Sequence, residues 1–148
     1  FSNVLLVSGD IDPSNVKKTL AKGRGYVAVD ILGLPTGFDF HAESGPTAFE
    51  MGDEAPKGST LLAKAPTVFG LDPAAQAPAI RMRMLRVTAA GTTTVSEGSA
   101  ITLPNAEPGA YRVEVFITPH HLRGYLGELP DKYVKEGPWV FSNPLYVR

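Results

Sequence analysis

Three histidines and fifteen acidic side chains are the strong oxygen and nitrogen ligands of this chain, which has no cysteine. The missing thiol removes disulfides, thiolate zinc sites and a Cys nucleophile from consideration. His120 and His121 are adjacent. On a strand they point to opposite faces, and on a helix they diverge by about 100°; neither geometry makes a ligand pair, so they read as solvent or edge histidines. His41 shares an outward strand face with Asp39, and a site there needs Glu43 or a remote residue to complete it. Glu50, Asp53 and Glu54 gather carboxylates in a Gly-rich loop, a composition that suits a hard cation. The alternating acid pattern of a dedicated calcium loop is absent and Lys57 lies close, so a solvated acidic turn is the better reading.

Other reactive patterns dissolve on inspection. Ser8-Gly9-Asp10 and Lys22-Gly23-Arg24-Gly25 lack the long glycine-lysine frame of a phosphate loop, and the second ends a helix where such a loop begins one. Ser142 has no Gly-x-Ser-x-Gly frame around it. Asp10 and Asp12 serve a turn and a helix cap. Trp139, Phe141 and Tyr146 offer a stacking platform for a sugar or another flat ligand, although large aromatics in a small domain more often fill the core.

The elements that would position these residues begin with one helix. Asp12 is its N-cap, Pro13 takes the first position, and Ile11 is placed to staple onto Val16. Gly23 and Gly25 end it, and Val16, Leu20 and Ala21 form a narrow apolar stripe that needs a partner. From Tyr26 the period becomes two. Tyr26 to Leu32 and the Phe38 to His41 run read as a hairpin across the Gly33–Gly37 turn. Thr60 to Lys64 is a strand, and Val68 to Pro78 an irregular connection. Ile80, Met82 and Met84 alternate with arginines before Leu85 and Val87 switch parity, which predicts a bulge between Met84 and Leu85. Thr93 to Val95 and Ala100 to Leu103 follow. Tyr111, Val113, Val115 and Ile117 then mark the cleanest strand, and Trp139 to Val147 the last one. Between them, Thr118 and Pro119 open a helical turn through Leu126 whose Leu122, Tyr125 and Leu126 cover a sheet edge.

Several short strands after one short helix predict a mostly β chain. The expected fold is a small antiparallel β-sandwich of immunoglobulin-like topology, without the Cys-Trp-Cys arrangement of antibody domains. With 148 residues, 43% of them hydrophobic, one core is expected. The net charge of -1 comes from scattered residues, so neither nucleic acid nor an anionic membrane is an expected partner. Apolar runs stop well short of the roughly 20 residues a spanning helix needs. Composition assigns no compartment. The chain opens Phe1-Ser2-Asn3 and enters at once into Val4-Leu5-Leu6-Val7, which reads as an excised piece; a processed mature protein would start the same way.

Two stretches carry a resemblance. LAKGRGYVAVDILGLPTGFDFHAE, continuing to EMGDE, and the terminal EGPWVFSNPLYVR are similar to the C-terminal parts of PHP-family (polymerase and histidinol phosphatase) metal-dependent phosphoesterases. The resemblance implies an upstream catalytic barrel holding two or three divalent metals. Residues 1–25 would be the closing segment and helix of that barrel, and residues 26–148 an appended β-sandwich. The ligand motifs of the barrel are absent from this chain, so no catalytic, cofactor or metal residue is expected in it, and its function is expected to be that of a non-catalytic accessory domain. Val4, Leu6, Val16, Leu20 and Leu122 are the candidate docking residues, toward the upstream catalytic domain or, in a homo-oligomer, toward another copy. The alternative function is a β-sandwich module that binds carbohydrate or another ligand, which side-by-side exposed aromatics in a groove would favour. A self-contained hydrolase would require His41 or His120 to meet a carboxylate in one cleft.

Overall fold

In the computed structural model, which describes Phe1–Arg148, Asp12 starts helix α1 (Pro13–Ala21) by accepting from the amides of Ser14 and Asn15 at 2.7 and 3.0 Å. The helix ends in a Schellman turn. Gly23, at φ +70°, donates to the Leu20 carbonyl and Arg24 donates to that of Thr19, which satisfies two carbonyls that a helix end leaves open. The expected apolar stripe is rotated. Thr19 is the buried residue, Val16 is half-buried, and Leu20 and Ile11 remain 62% and 86% exposed. Ile11 therefore closes no staple.

The strands follow in chain order. Before and after α1 lie β1 (Ser2–Leu5) and β2 (Gly25–Ala28), then β3 (Pro35–Thr36), β4 (Asp39–Ser44), β5 (Thr47–Glu50), β6 (Glu54–Ala55), β7 (Thr60–Lys64) and β8 (Thr67–Val68). The second half holds β9 (Ala79–Thr88), β10 (Gly91–Glu97), β11 (Ala100–Leu103), β12 (Gly109–Thr118), the single-turn α2 (Pro130–Tyr133), β13 (Gly137–Ser142) and β14 (Leu145–Val147). Short 3-10 turns occupy Asp30–Leu32 and His120–Tyr125.

These strands make a mostly β, sandwich-like fold. One sheet has the order β11-β7-β4-β5. In the other, β10 and β9 lie on one side of β12, while β13 and β14 succeed each other along its other side. Beyond β13 come β2 and then β1, and β6 runs parallel beside β14. The inward residues of both sheets form one core: Phe40, Ala42, Leu61, Ala63 and Ile101 from the first, Met82, Met84, Tyr111, Val113, Val115 and Ile117 from the second. Burying each large member contributes about 1.5–3 kcal/mol. At the start of β12, the Tyr111 hydroxyl donates to the Glu107 carbonyl at 2.7 Å, which pins the chain as it turns from one sheet into the other.

Four local expectations are corrected. Tyr26–Leu32 and Phe38–His41 are not a hairpin: β2 pairs with β1 and β13, whereas β4 pairs with β5 and β7 in the other sheet. The strand from Tyr26 also stops at Ala28, and Asp30–Leu32 coils. No bulge interrupts β9 against β12; the irregularity lies in β10 between Thr94 and Ser96, opposite Leu85 and Met84. The parity switch in β9 arises because both faces bury apolar residues, with Leu85 on the outer face directly across from Arg112. Finally, the turn after β12 is a 3-10 coil with no side-chain cap from Thr118, and Tyr125 is 84% exposed instead of covering an edge.

Candidate functional site

Three short segments named by the sequence resemblance meet at one seam between the N-terminal flank and the sandwich: Gly23-Arg24-Gly25, Glu50–Glu54 and Ser142-Asn143-Pro144. Arg24 donates through Nη2 to both oxygens of Asp53 at 3.0 and 2.8 Å. The same carboxylate accepts from the Glu50 amide, and the Asp53 carbonyl accepts from Tyr146. Asn143 donates its side-chain amide to Gly23 and its backbone amide to Gly25, at 2.9 and 3.1 Å. Gly52 donates to Pro144 at 2.7 Å. It must be glycine: at φ +86° a Cβ would stand 1.7 Å from the Lys22 carbonyl oxygen.

Ser142 completes the seam. Between the last β13 and first β14 pairings the ladder to β12 is interrupted, and the Val113 amide donates to Ser142 Oγ at 2.7 Å instead. Such a buried amide left without a partner would cost about 1–3 kcal/mol. The Ser142 hydroxyl is thus a structural acceptor. Arg24 Nε alone in this cluster is buried without a partner.

The tempting ligands are dispersed. His41 lies between Asp39, 3.0 Å from Nδ1, and Glu43, 3.5 Å from Nε2. Partial burial pulls its pKa down, but the hydrogen bonds and charges of Asp39 and Glu43 together outweigh that and hold it above the ordinary value. Asp53 is committed to Arg24, and Glu54 faces Arg148 at 2.8 Å. No three His, Asp or Glu side chains gather in a geometry that would hold a metal ion. Trp139 is fully buried: it is the extra residue where β13 slips against β12, and its Nε1 donates to the Gly33 carbonyl at 2.7 Å. Phe141 and Tyr146 are half-buried.

The candidate docking residues fall in two places. Val4 and Leu6 are half-buried and pack partly on the core, while Val16 is half-buried on α1. Leu20 is exposed and lines a 390 Å³ cleft with Ala21, Pro144 and Tyr146 beside the seam. Leu122 lies at the far end of the second sheet, in a trough between the loop after β8 and the His120–Tyr125 turn.

That trough is the feature least visible in the sequence. Phe69 and Tyr125, 67% and 84% exposed, both line it. His121 forms its wall with both ring nitrogens buried; neither makes a hydrogen bond of good geometry, although the Leu32 backbone lies close enough to interact with the ring. Desolvation pushes this imidazole below its ordinary pKa; the Leu32 backbone opposes that shift and the neighbouring His120 adds to it. Gly33 permits the packing, because a Cβ there would lie 2.9 Å from Val68 and 3.3 Å from His121 Nε2.

Fold and seam together define a mostly β, sandwich-like domain with an N-terminal strand and helix locked onto it. Set against known proteins, the chain matches no family model, no curated protein and no solved structure.

Proposed function

We propose that this chain is a non-catalytic accessory domain of a larger metal-dependent hydrolase resembling the PHP-type phosphoesterases, and that it packs on an upstream catalytic domain through its N-terminal flank. The observation that carries the reading is the apolar surface of that flank: Phe1, Ile11 and Leu20 stand 94%, 86% and 62% exposed. Edge strand β1, which pairs only with β2, lies on the same flank. Exposed large hydrophobes beside an open strand edge are a liability in an isolated domain, and a covering domain removes it. The seam supports the reading as well, since it anchors this flank to the sandwich through charged and main-chain bonds.

The immunoglobulin-like assignment belongs to the same proposal. In support of it, β4, β7 and β11 lie together in one sheet and β10, β9, β12 and β13 in the other, and the Tyr111 hydroxyl bond to an upstream carbonyl resembles the tyrosine corner of such sandwiches. Divalent metals would belong to the parent catalytic domain. Titrating the chain with manganese or zinc in the presence of 4-nitrophenyl phosphate tests the assignment. The expected result is no turnover above buffer and no stoichiometric metal site. Metal-dependent turnover by this chain alone would overturn it.

A further inference from the structure

We propose that the trough between the loop after β8 and the His120–Tyr125 turn binds a neutral carbohydrate ring. Two adjoining cavities of 240 and 270 Å³ share Asp72, Ala75, His121 and Tyr125, and so form one open trough. Two highly exposed aromatics on one small groove are unusual, because solvated rings lose the burial that normally holds them in place. Here Phe69 and Tyr125, both largely exposed, line the trough together with Val68, Leu71 and Leu122. A pyranose offers the complement, with C–H faces for the rings and hydroxyls that both donate and accept at the rim.

The rim supplies those partners. Asp72 uses Oδ1 to accept from the Ala74 amide at 2.8 Å and keeps Oδ2 without a protein partner. Gln76 and His120 line the polar end. The charge pattern selects against anions: Arg123, the cation of the trough, is bonded to Asp131 at 2.7 Å, and Asp72 leaves a single negative charge. His121, held below the ordinary imidazole value by burial, adds a neutral wall. A phosphate or carboxylate would have to compete with Asp131 for Arg123 and face the charge of Asp72, whereas an uncharged polyol finds acceptor, amide and stacking surface together.

The test is independent of the docking surface on the other flank. Cellobiose, maltotriose and diacetylchitobiose are titrated into the chain while the aromatic ring signals of Phe69, Tyr125 and His121 are followed by NMR. Saturable shifts of these rings with at least one saccharide are expected. Tyr125→Ala and Phe69→Ala should each weaken that binding by roughly tenfold, Tyr125→Phe should largely retain it, and Trp139 signals should stay unmoved as evidence of an intact core. Absence of ring shifts with all three saccharides, binding unaffected by both alanine variants, or displacement of the saccharide assignment by saturable binding of choline alone would overturn the proposal.

Discussion

The seam and the trough are built from similar residue types and treat their polar atoms in opposite ways. At the seam, Arg24, Asp53, Asn143 and Ser142 all bond to the protein itself, and Arg24 Nε is their one buried side-chain atom without a partner. At the trough, Asp72 keeps an oxygen free and two aromatics face solvent. Internally satisfied groups hold a fold together and have little left for a ligand. Groups left unsatisfied are where the molecule has bonding capacity to offer. The contrast teaches that the most recognisable motif residues of this chain are its fasteners, and that the recognition proposed for it falls to unremarkable loops.

The sharpest way to break the comparison is at Gly52. Gly52→Ala combines a positive φ with a 1.7 Å clash against backbone, so a loss of about 3 kcal/mol or more is expected, read as a lower urea midpoint. An unchanged midpoint would mean that the seam is not rigid. Next comes the ion pair. A double-mutant cycle with Arg24→Met and Asp53→Asn should give a coupling of about 1–2 kcal/mol, since both side chains are only about a quarter exposed and doubly hydrogen-bonded. Coupling near zero would place the pair with ordinary surface bridges.

His121 provides a test of opposite sign. Replacing a buried imidazole that makes no hydrogen bonds with an apolar residue is near neutral or stabilising, so His121→Leu should shift stability by less than about 1 kcal/mol, where loss of a seam residue is costly. The two perturbed histidines also titrate against each other. His121, depressed below 6.5, contributes stability that is present above that value and lost as pH falls through its folded pKa. His41, raised above 6.5 by Asp39 and Glu43 against the opposing effect of burial, contributes stability that is present below that value and lost as pH rises through its folded pKa. Stability profiles of His121→Leu and His41→Gln should therefore lose pH dependence on opposite sides of 6.5. Smallest of all, Phe69→Ala and Tyr125→Ala should alter stability by no more than about 0.5 kcal/mol, because both side chains are mostly solvated. A larger loss would make them packing residues.

The parts of the fold that were legible in the sequence are those with a local cause. Asp12 and Pro13 announce α1, Gly23 ends it, and β7 runs from Thr60 to Lys64 as its apolar pattern indicates. Strict alternation through Tyr111, Val113, Val115 and Ile117 gives both the existence of β12 and its buried face. Pairing was not legible, because a period of two identifies an inward face and says nothing of the neighbour. Ala28 lies beside Val140, more than a hundred residues away in the chain, so proximity in sequence suggested the wrong hairpin. The apolar stripe on α1 misleads for a related reason: the helix docks on the side of Thr19, a polar residue, and leaves Leu20 outside. The segments 50–54 and 142–144 carry no sequence pattern that assigns a role to Gly52 or Asn143, because the positive φ of Gly52 and its approach to Lys22 arise only in the folded chain. The trough left no signal, since Phe69 lies in an aperiodic Pro- and Ala-rich segment and Tyr125 closes a 3-10 turn.

The most direct test of the proposed docking is amide hydrogen exchange on this chain alone and on a longer protein in which the proposed catalytic domain precedes it. Covering of the N-terminal flank should slow exchange in β1 and around Leu20 in the longer protein and leave the Phe69 and Tyr125 segments as fast as before. Equal exchange at β1 and Leu20 in both samples would contradict the account.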